Sequence, residues 1–200
     1  MVNVIKHHIL FPTVISEFEY IADKNLLSAI NNEQLYPTIN NLSTRSINNN
    51  LQDKKEYKPL VNKILNTTKE VCNLNEYVYE SLEITGLWVN VSQNNNMHLP
   101  HTHSNNIFSG VYYPTQCKET PINFIDPRQQ SNQWVPKRKI TNDYTASVVS
   151  IINKKNLGII FPSWLMHYVS PAIGNRISIS WNIILRGDYG DANTLQNARI

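Results

Sequence analysis

Met166-His167-Tyr168-Val169-Ser170-Pro171-Ala172-Ile173-Gly174-Asn175-Arg176-Ile177-Ser178-Ile179-Ser180-Trp181-Asn182 combines a strict alternation with a turn signal. From Arg176 onward, Arg176, Ser178, Ser180 and Asn182 fall on one side, and Ile177, Ile179, Trp181 and Ile183 on the other. A period of two is the pattern of a β-strand. The apolar face must pack against something. The polar face belongs to a strand expected at the centre of a small β-structure, where such a face is costly unless it lines a site. Pro171 to Gly174 read as the turn of a hairpin that pairs residues whose numbers sum to 343. His167 would then face Arg176, and Leu165 would face Ser178, with opposed Cβ atoms about 4.5–5.5 Å apart.

Upstream of this stretch, further short runs have strand character. They are Leu87 to Val91, Ile107 to Tyr113, Ile122 to Ile125, Ser147 to Ile152, Gly158 to Phe161 and Met166 to Ser170, punctuated by Pro, Gly and Asn. Many short β-branched and aromatic runs within about one hundred residues indicate a sandwich or jelly roll. Ahead of them the chain reads as mostly helical. Asp23 is placed to cap a helix through Leu26, Leu27 and Ile30. From Tyr57, the spacing of Leu60, Val61, Ile64, Leu65, Val71, Cys72 and Leu74 fits a long amphipathic helix. Residues 3–11 are expected to form an edge strand, and residues 32–53 a long loop. The expected organisation is a single domain over 1–200, mainly β (α+β). Residues 1–85 supply a strand and supporting helices, 86–186 the β core, and 187–200 a tail. The polar segment 127–146 reads as a lid or substrate loop.

Composition limits the function classes. The chain has 200 residues, enough for one domain with a sizeable core. A formal charge of +3 gives little support to nucleic-acid binding. No segment is long and apolar enough to span a bilayer, and the N-terminus lacks a signal-peptide layout. A cytoplasmic location is therefore expected, in the host cytoplasm if the source is viral. Cys72 and Cys117 lack CxxC spacing and read as reduced structural thiols. Sequons at Asn41, Asn66 and Asn90 carry little weight without secretion. Exposed strand edges leave room for a homodimer.

The chain has six histidines. A lone histidine is more often a surface or packed residue than a ligand, and His7, His8 and His98 are read that way. His101 and His103 stand two apart, so on extended backbone both project to one side. Joined by His167 from a distant strand, they form three facial ligands with open positions left over, as a catalytic iron site needs. Arg176 beside them suits an anionic co-substrate, held by charge-assisted, bidentate hydrogen bonds. Asp126, or a His98/His101 pair, is an alternative source of ligands.

The order His101-X-His103, Ser109-Gly110-Val111-Tyr112-Tyr113, Asn123 to Arg128, Gly158 to His167 and Arg176 to Asn182 resembles the Fe(II)/2-oxoglutarate-dependent oxygenase superfamily. Within it, the chain is similar to the prolyl-hydroxylase-like branch with its bacterial and phage members, over about residues 86–186. The resemblance implies a double-stranded β-helix, the jelly roll, with the N-terminal helices packed on one sheet. It implies Fe(II) as cofactor, 2-oxoglutarate and O2 as co-substrates, and hydroxylation of a further substrate with release of succinate and CO2. His101 and His167 match the two family histidines. Arg176 and Ser178 match the Arg-X-Ser that pairs with the far carboxylate of 2-oxoglutarate, and Tyr113 the tyrosine that often reaches it. The chain departs from the pattern where His103 replaces the family's carboxylate ligand. Two other readings stay open: a cupin-like three-His dioxygenase that does not use 2-oxoglutarate, and a non-catalytic jelly-roll binding module.

Overall fold

In a computed structural model of the chain, residues 5–38, 42–191 and 193–200 are described. The elements run in chain order β1 (Ser16–Glu19), α1 (Lys24–Asn31), β2 (Leu35–Pro37), β3 (Thr44–Ser46), α2 (Lys58–Leu74), β4 (Ser81–Ser92), β5 (His98–His101), β6 (Phe108–Tyr112), β7 (Ile122–Ile125), β8 (Val148–Ile151), β9 (Leu157–Pro162), β10 (His167–Val169), β11 (Arg176–Arg186), β12 (Asp188–Tyr189) and β13 (Ala198–Arg199). A major sheet of seven strands has the order β1-β9-β6-β11-β4-β3-β2, and a minor sheet of four the order β5-β10-β7-β8. All ladders within the two sheets are antiparallel. This is the expected jelly roll, with both helices on the outer face of the major sheet.

Alternation along the central strands builds two separate cores. In β11, Ile177, Ile179, Trp181, Ile183 and Leu185 join Leu26 and Ile30 of α1 and Leu60, Val61 and Ile64 of α2 in one apolar cluster. The opposite faces of β6 and β9 send Val111, Ile159 and Phe161 inward, where they meet Ile122 and Phe124 of the minor sheet and the nearby Tyr113 and Leu165. Burying each large aliphatic side chain is worth about 1.5–3 kcal/mol, so the major sheet is anchored on both faces.

The helices form where expected. The Leu26 N–H donates to Asp23 Oδ1 at 2.7 Å, which satisfies one open donor at the start of α1. In α2, Pro59 occupies the first turn, where its missing N–H costs nothing.

Three expectations are corrected. Residues 5–10 form no strand, while residues 3 and 4, like Asn41 with its sequon, lie outside the described residues. Phe11 is 89% exposed and has φ 58°, which breaks an extended run, and β1 takes the sheet edge instead. The segment 32–53 contains β2 and β3, strands too short to show a hydrophobic period and held by backbone pairing to each other and to β4.

The third correction concerns the expected hairpin. His167 pairs with His101 and Phe124, Arg176 pairs with Ser92, and Leu165 lies in the turn before β10. Both edges of β10 are taken by β5 and β7, and both edges of β11 by β4 and β6. Residues 170–175 therefore carry the chain from one sheet to the other, with Gly174 at φ +78° in the turn. His167 and Arg176 line one cavity across the interior rather than facing each other along a ladder.

Candidate active site

The polar face of β11 lies against the polar face of β4. Arg176, Ser178 and Ser180 are opposed in register to Ser92, Asn90 and Trp88. Asn90 Nδ2 donates to Ser180 Oγ at 3.0 Å, and Trp88 Nε1 donates to Asn90 Oδ1 at 3.2 Å. Arg176, Ser178, Ser180, Asn90 and Trp88 form one wall of a cavity of about 50 Å³; His98, His101, His103, His167, Ile122 and Val169 are among the residues lining its other side. Arg176, Ser178 and Ser180 of the polar stripe read in the sequence line a pocket, while Asn182 instead accepts from Ser109 Oγ at 2.8 Å.

His101, His103 and His167 come together in that pocket. A ligand nitrogen from each lies within 4.8 Å of the other two. Ring centroids are 4.4 Å apart for His101 and His167, 5.1 Å for His101 and His103, and 5.2 Å for His103 and His167. The strand register supplies the first pair, since His101 and His167 are direct partners. His103 lies beyond β5 and is pinned by its backbone, its N–H donating to Ser163 O at 2.9 Å. His101 Nδ1 sits 2.7 Å from Leu99 O, and His167 Nδ1 sits 2.9 Å from Leu165 O. With Nδ1 donating to these carbonyls, the Nε2 lone pairs are left free.

The environment keeps two of these rings neutral. Burial, and then the neighbouring His101, push His103 down to about 4. Burial first, with His101 next, pushes His167 down to about 3; His167 is 3% exposed, and Phe161 stands edge-on at 4.6 Å. Three imidazoles gathered on one side of a pocket, two with tautomers fixed by backbone carbonyls, fit a divalent first-row metal. Asp126 is not part of this group: its carboxylate is held by Arg128 and Ser131, which draws it down to about 2.

Arg176 is 2% exposed. It donates from Nη1 to Ser178 Oγ at 3.2 Å and from Nη2 to Tyr113 Oη at 3.3 Å, with its guanidinium 5.0 Å from the Tyr113 ring centre. No carboxylate pairs with it among the described residues. A buried cation without a counter-ion is strongly unfavourable in a finished core. The arrangement suits an incoming anion.

From sequence, His98 reads as a packed residue, or alternatively as a ligand in a His98/His101 pair. Its ring lies in the same pocket, 6.5 Å from the His101 ring, and burial followed by the Arg176 charge holds it down to about 4. Strict alternation puts residues 98 and 101 on opposite faces. The register shift that pairs His98 with Val169 and His101 with His167 lets both face the pocket. That shift has no sequence signature.

The family described as "Putative 2OG-Fe(II) oxygenase" matches residues 86–182. Among solved structures, the chain is similar to a 2OG-Fe(II) oxygenase family oxidoreductase from Burkholderia pseudomallei, with 10% identity, a TM-score of 0.60, and coverage of 85% of this chain and 84% of that one. A prolyl-4-hydroxylase from Pseudomonas putida gives 11% identity and a TM-score of 0.58, covering 87% of this chain and 94% of that one. HygX from Streptomyces hygroscopicus, solved with nickel, 2-oxoglutarate and hygromycin B, gives 7% identity and a TM-score of 0.58, covering 86% and 83%. These likenesses establish the shared fold. No curated protein matches the chain in sequence.

Proposed function

We infer, from the match of residues 86–182 to the 2OG-Fe(II) oxygenase family, that the chain is an Fe(II)- and 2-oxoglutarate-dependent dioxygenase. We further propose that His101, His103 and His167 hold the iron, and that Arg176, Ser178 and Tyr113 hold the far carboxylate of 2-oxoglutarate. The observation that carries the second assignment is the buried Arg176 guanidinium, which has hydroxyl partners and no carboxylate. Once bound, Fe(II) and 2-oxoglutarate would supply the oxidative chemistry, with release of succinate and CO2 and hydroxylation of a further substrate.

The chain's own part is to bind, to orient and to exclude water. The His101 and His167 tautomers are preset by backbone carbonyls, so their lone pairs need no rearrangement. Phe161 and Phe124 flank His167 and keep that side of the site dry. Arg176 and Ser178 are fixed by a long ladder to β4, which sets the depth at which a dicarboxylate is seated. The segment 127–146 leaves β7 one strand pairing away from His167 and carries the exposed Trp134 and Tyr144, which suits a substrate-facing loop.

One observation favours a second reading. The metal-capable group is three histidines with no carboxylate, the donor set of a dioxygenase that works without 2-oxoglutarate. Anaerobic addition of Fe(II) and then 2-oxoglutarate to the apoprotein separates the two. A visible metal-to-ligand charge-transfer band, lost in Arg176→Ala, is expected. Iron binding without the band would favour the second reading, and no iron binding would leave a jelly-roll binding module.

A further inference from the structure

The Arg176 end of the pocket holds polar atoms that neither the three-histidine group nor the Arg176–Ser178–Tyr113 clamp uses. Ser92 Oγ, His98 Nε2 and Arg176 Nε are buried and have no hydrogen-bond partner among the described residues. Ser92 and Arg176 are direct partners across β4 and β11, in the major sheet. His98 comes from β5, in the minor sheet, and lines the same cavity as Arg176 and Ser178. A buried polar atom without a partner is costly, and several at one place mark a site that a ligand completes.

His98 is placed for this role and not for the metal. The nitrogens that can share an ion belong to His101, His103 and His167. The register shift against β10 puts His98 opposite Val169, two residues along the strand from the His101–His167 pair, and His98 lines the cavity with Arg176, whose charge acts on its ring. A neutral imidazole protonated at Nε2 is a single directional donor. Arg176 and Ser178 approach an anion from the major sheet only, so a carboxylate seated on them still has lone pairs facing the minor sheet.

We propose that His98 closes the co-substrate clamp from the opposite sheet, donating from Nε2 to the distal carboxylate that Arg176 and Ser178 hold. This rests on the 2-oxoglutarate reading above. It makes His98 a specificity-determining residue: the site selects a 2-oxo acid with a second carboxylate at this depth over one without it.

The test is calorimetric affinity of the anaerobic Fe(II)-loaded protein for 2-oxoglutarate and for 2-oxovalerate, the same carbon chain without the distal carboxylate. In His98→Leu, the 2-oxoglutarate Kd is expected to rise about 10- to 100-fold, the range for losing a hydrogen bond to a charged group. The 2-oxovalerate Kd and the iron stoichiometry should stay at wild-type values. His98→Gln, whose amide nitrogen can take the place of Nε2, should recover most of the loss. Unchanged 2-oxoglutarate affinity in His98→Leu would overturn the proposal. So would equal losses for the two acids, which would place His98 at the metal end or in the scaffold. A wild-type protein that binds iron and neither acid would overturn the 2-oxoglutarate reading itself, before any variant is compared.

Discussion

Arg176 concentrates the chemistry of this chain into one side chain: a guanidinium sealed inside a β-sandwich with a serine and a tyrosine hydroxyl as its partners. Replacing it with alanine should weaken 2-oxoglutarate binding by about 2–5 kcal/mol, through loss of a desolvated charge pair. Fe(II) stoichiometry should not change, because Arg176 is absent from the three-histidine group; wild-type affinity in titration calorimetry would remove it from the clamp. His167 sits on the other side of the same argument. It is central to the three-histidine group and locked by Leu165 O, so His167→Ala should abolish Fe(II) binding. Stoichiometric iron in the purified variant, measured by metal analysis, would take it out of the ligand set. Both residues could be singled out from sequence because their types are costly to bury without a reason. His98 could not, because its placement depends on a register shift. Ser92 and Asn90 could not either, since a lone serine or asparagine in a strand carries no such signal.

At the level of elements, alternation located the strands that matter and misjudged how two of them meet. The reading placed Ile122 to Ile125 where β7 lies, and its other core strands overlap β4, β6, β8, β9, β10 and β11. Apart from the largely exposed β8, their burial is one- or two-sided, so hydrophobic period and β-branching mark them. Which strands pair is a non-local property. A Pro-Gly turn looks the same whether the chain folds back within one sheet or crosses to the next, and here it crosses. The packing of the central strands can be tested at Gly110 in β6, which is paired with Trp181 of β11. A Cβ there would overlap the Trp181 ring and lie 2.6 Å from Ile159 O. Trp181 is fully buried, and the Ile159 backbone belongs to the paired strand β9, so neither can give way. Gly110→Ala should therefore destabilise the fold by about 1–3 kcal/mol, read as a lower denaturant midpoint. A midpoint equal to wild type would show that the β6–β11 contact is looser than the geometry states.

For the molecule as a whole, the pocket sets how stability depends on pH. His98 and His103 are held down to about 4 and His167 to about 3 in the fold, against an ordinary value near 6.5. Burial is the first cause for each. The folded protein thus keeps these rings neutral where the unfolded chain has begun to protonate them. By linkage, stability is at its full value above pH 6.5 and is lost as the pH falls toward 4. The carboxylates act in a lower window. Asp126 is drawn from 3.8 to about 2 by Arg128, so its share is lost only below about pH 4. Between pH 6.5 and 4.5 the histidines should carry most of the slope, and the apoprotein should lose about 6 kcal/mol there, roughly 2 from each ring. Denaturant unfolding of metal-free protein across this range checks the prediction. In His167→Phe, with Phe124 and Phe161 as neighbours, the slope should flatten, since the variant removes the most depressed of the three rings while keeping an aromatic side chain in place. An apoprotein equally stable at pH 6.5 and 4.5 would mean that the rings already take up protons in the fold. The neutral state that suits His103 and His167 to a metal would then not be the resting state of the site.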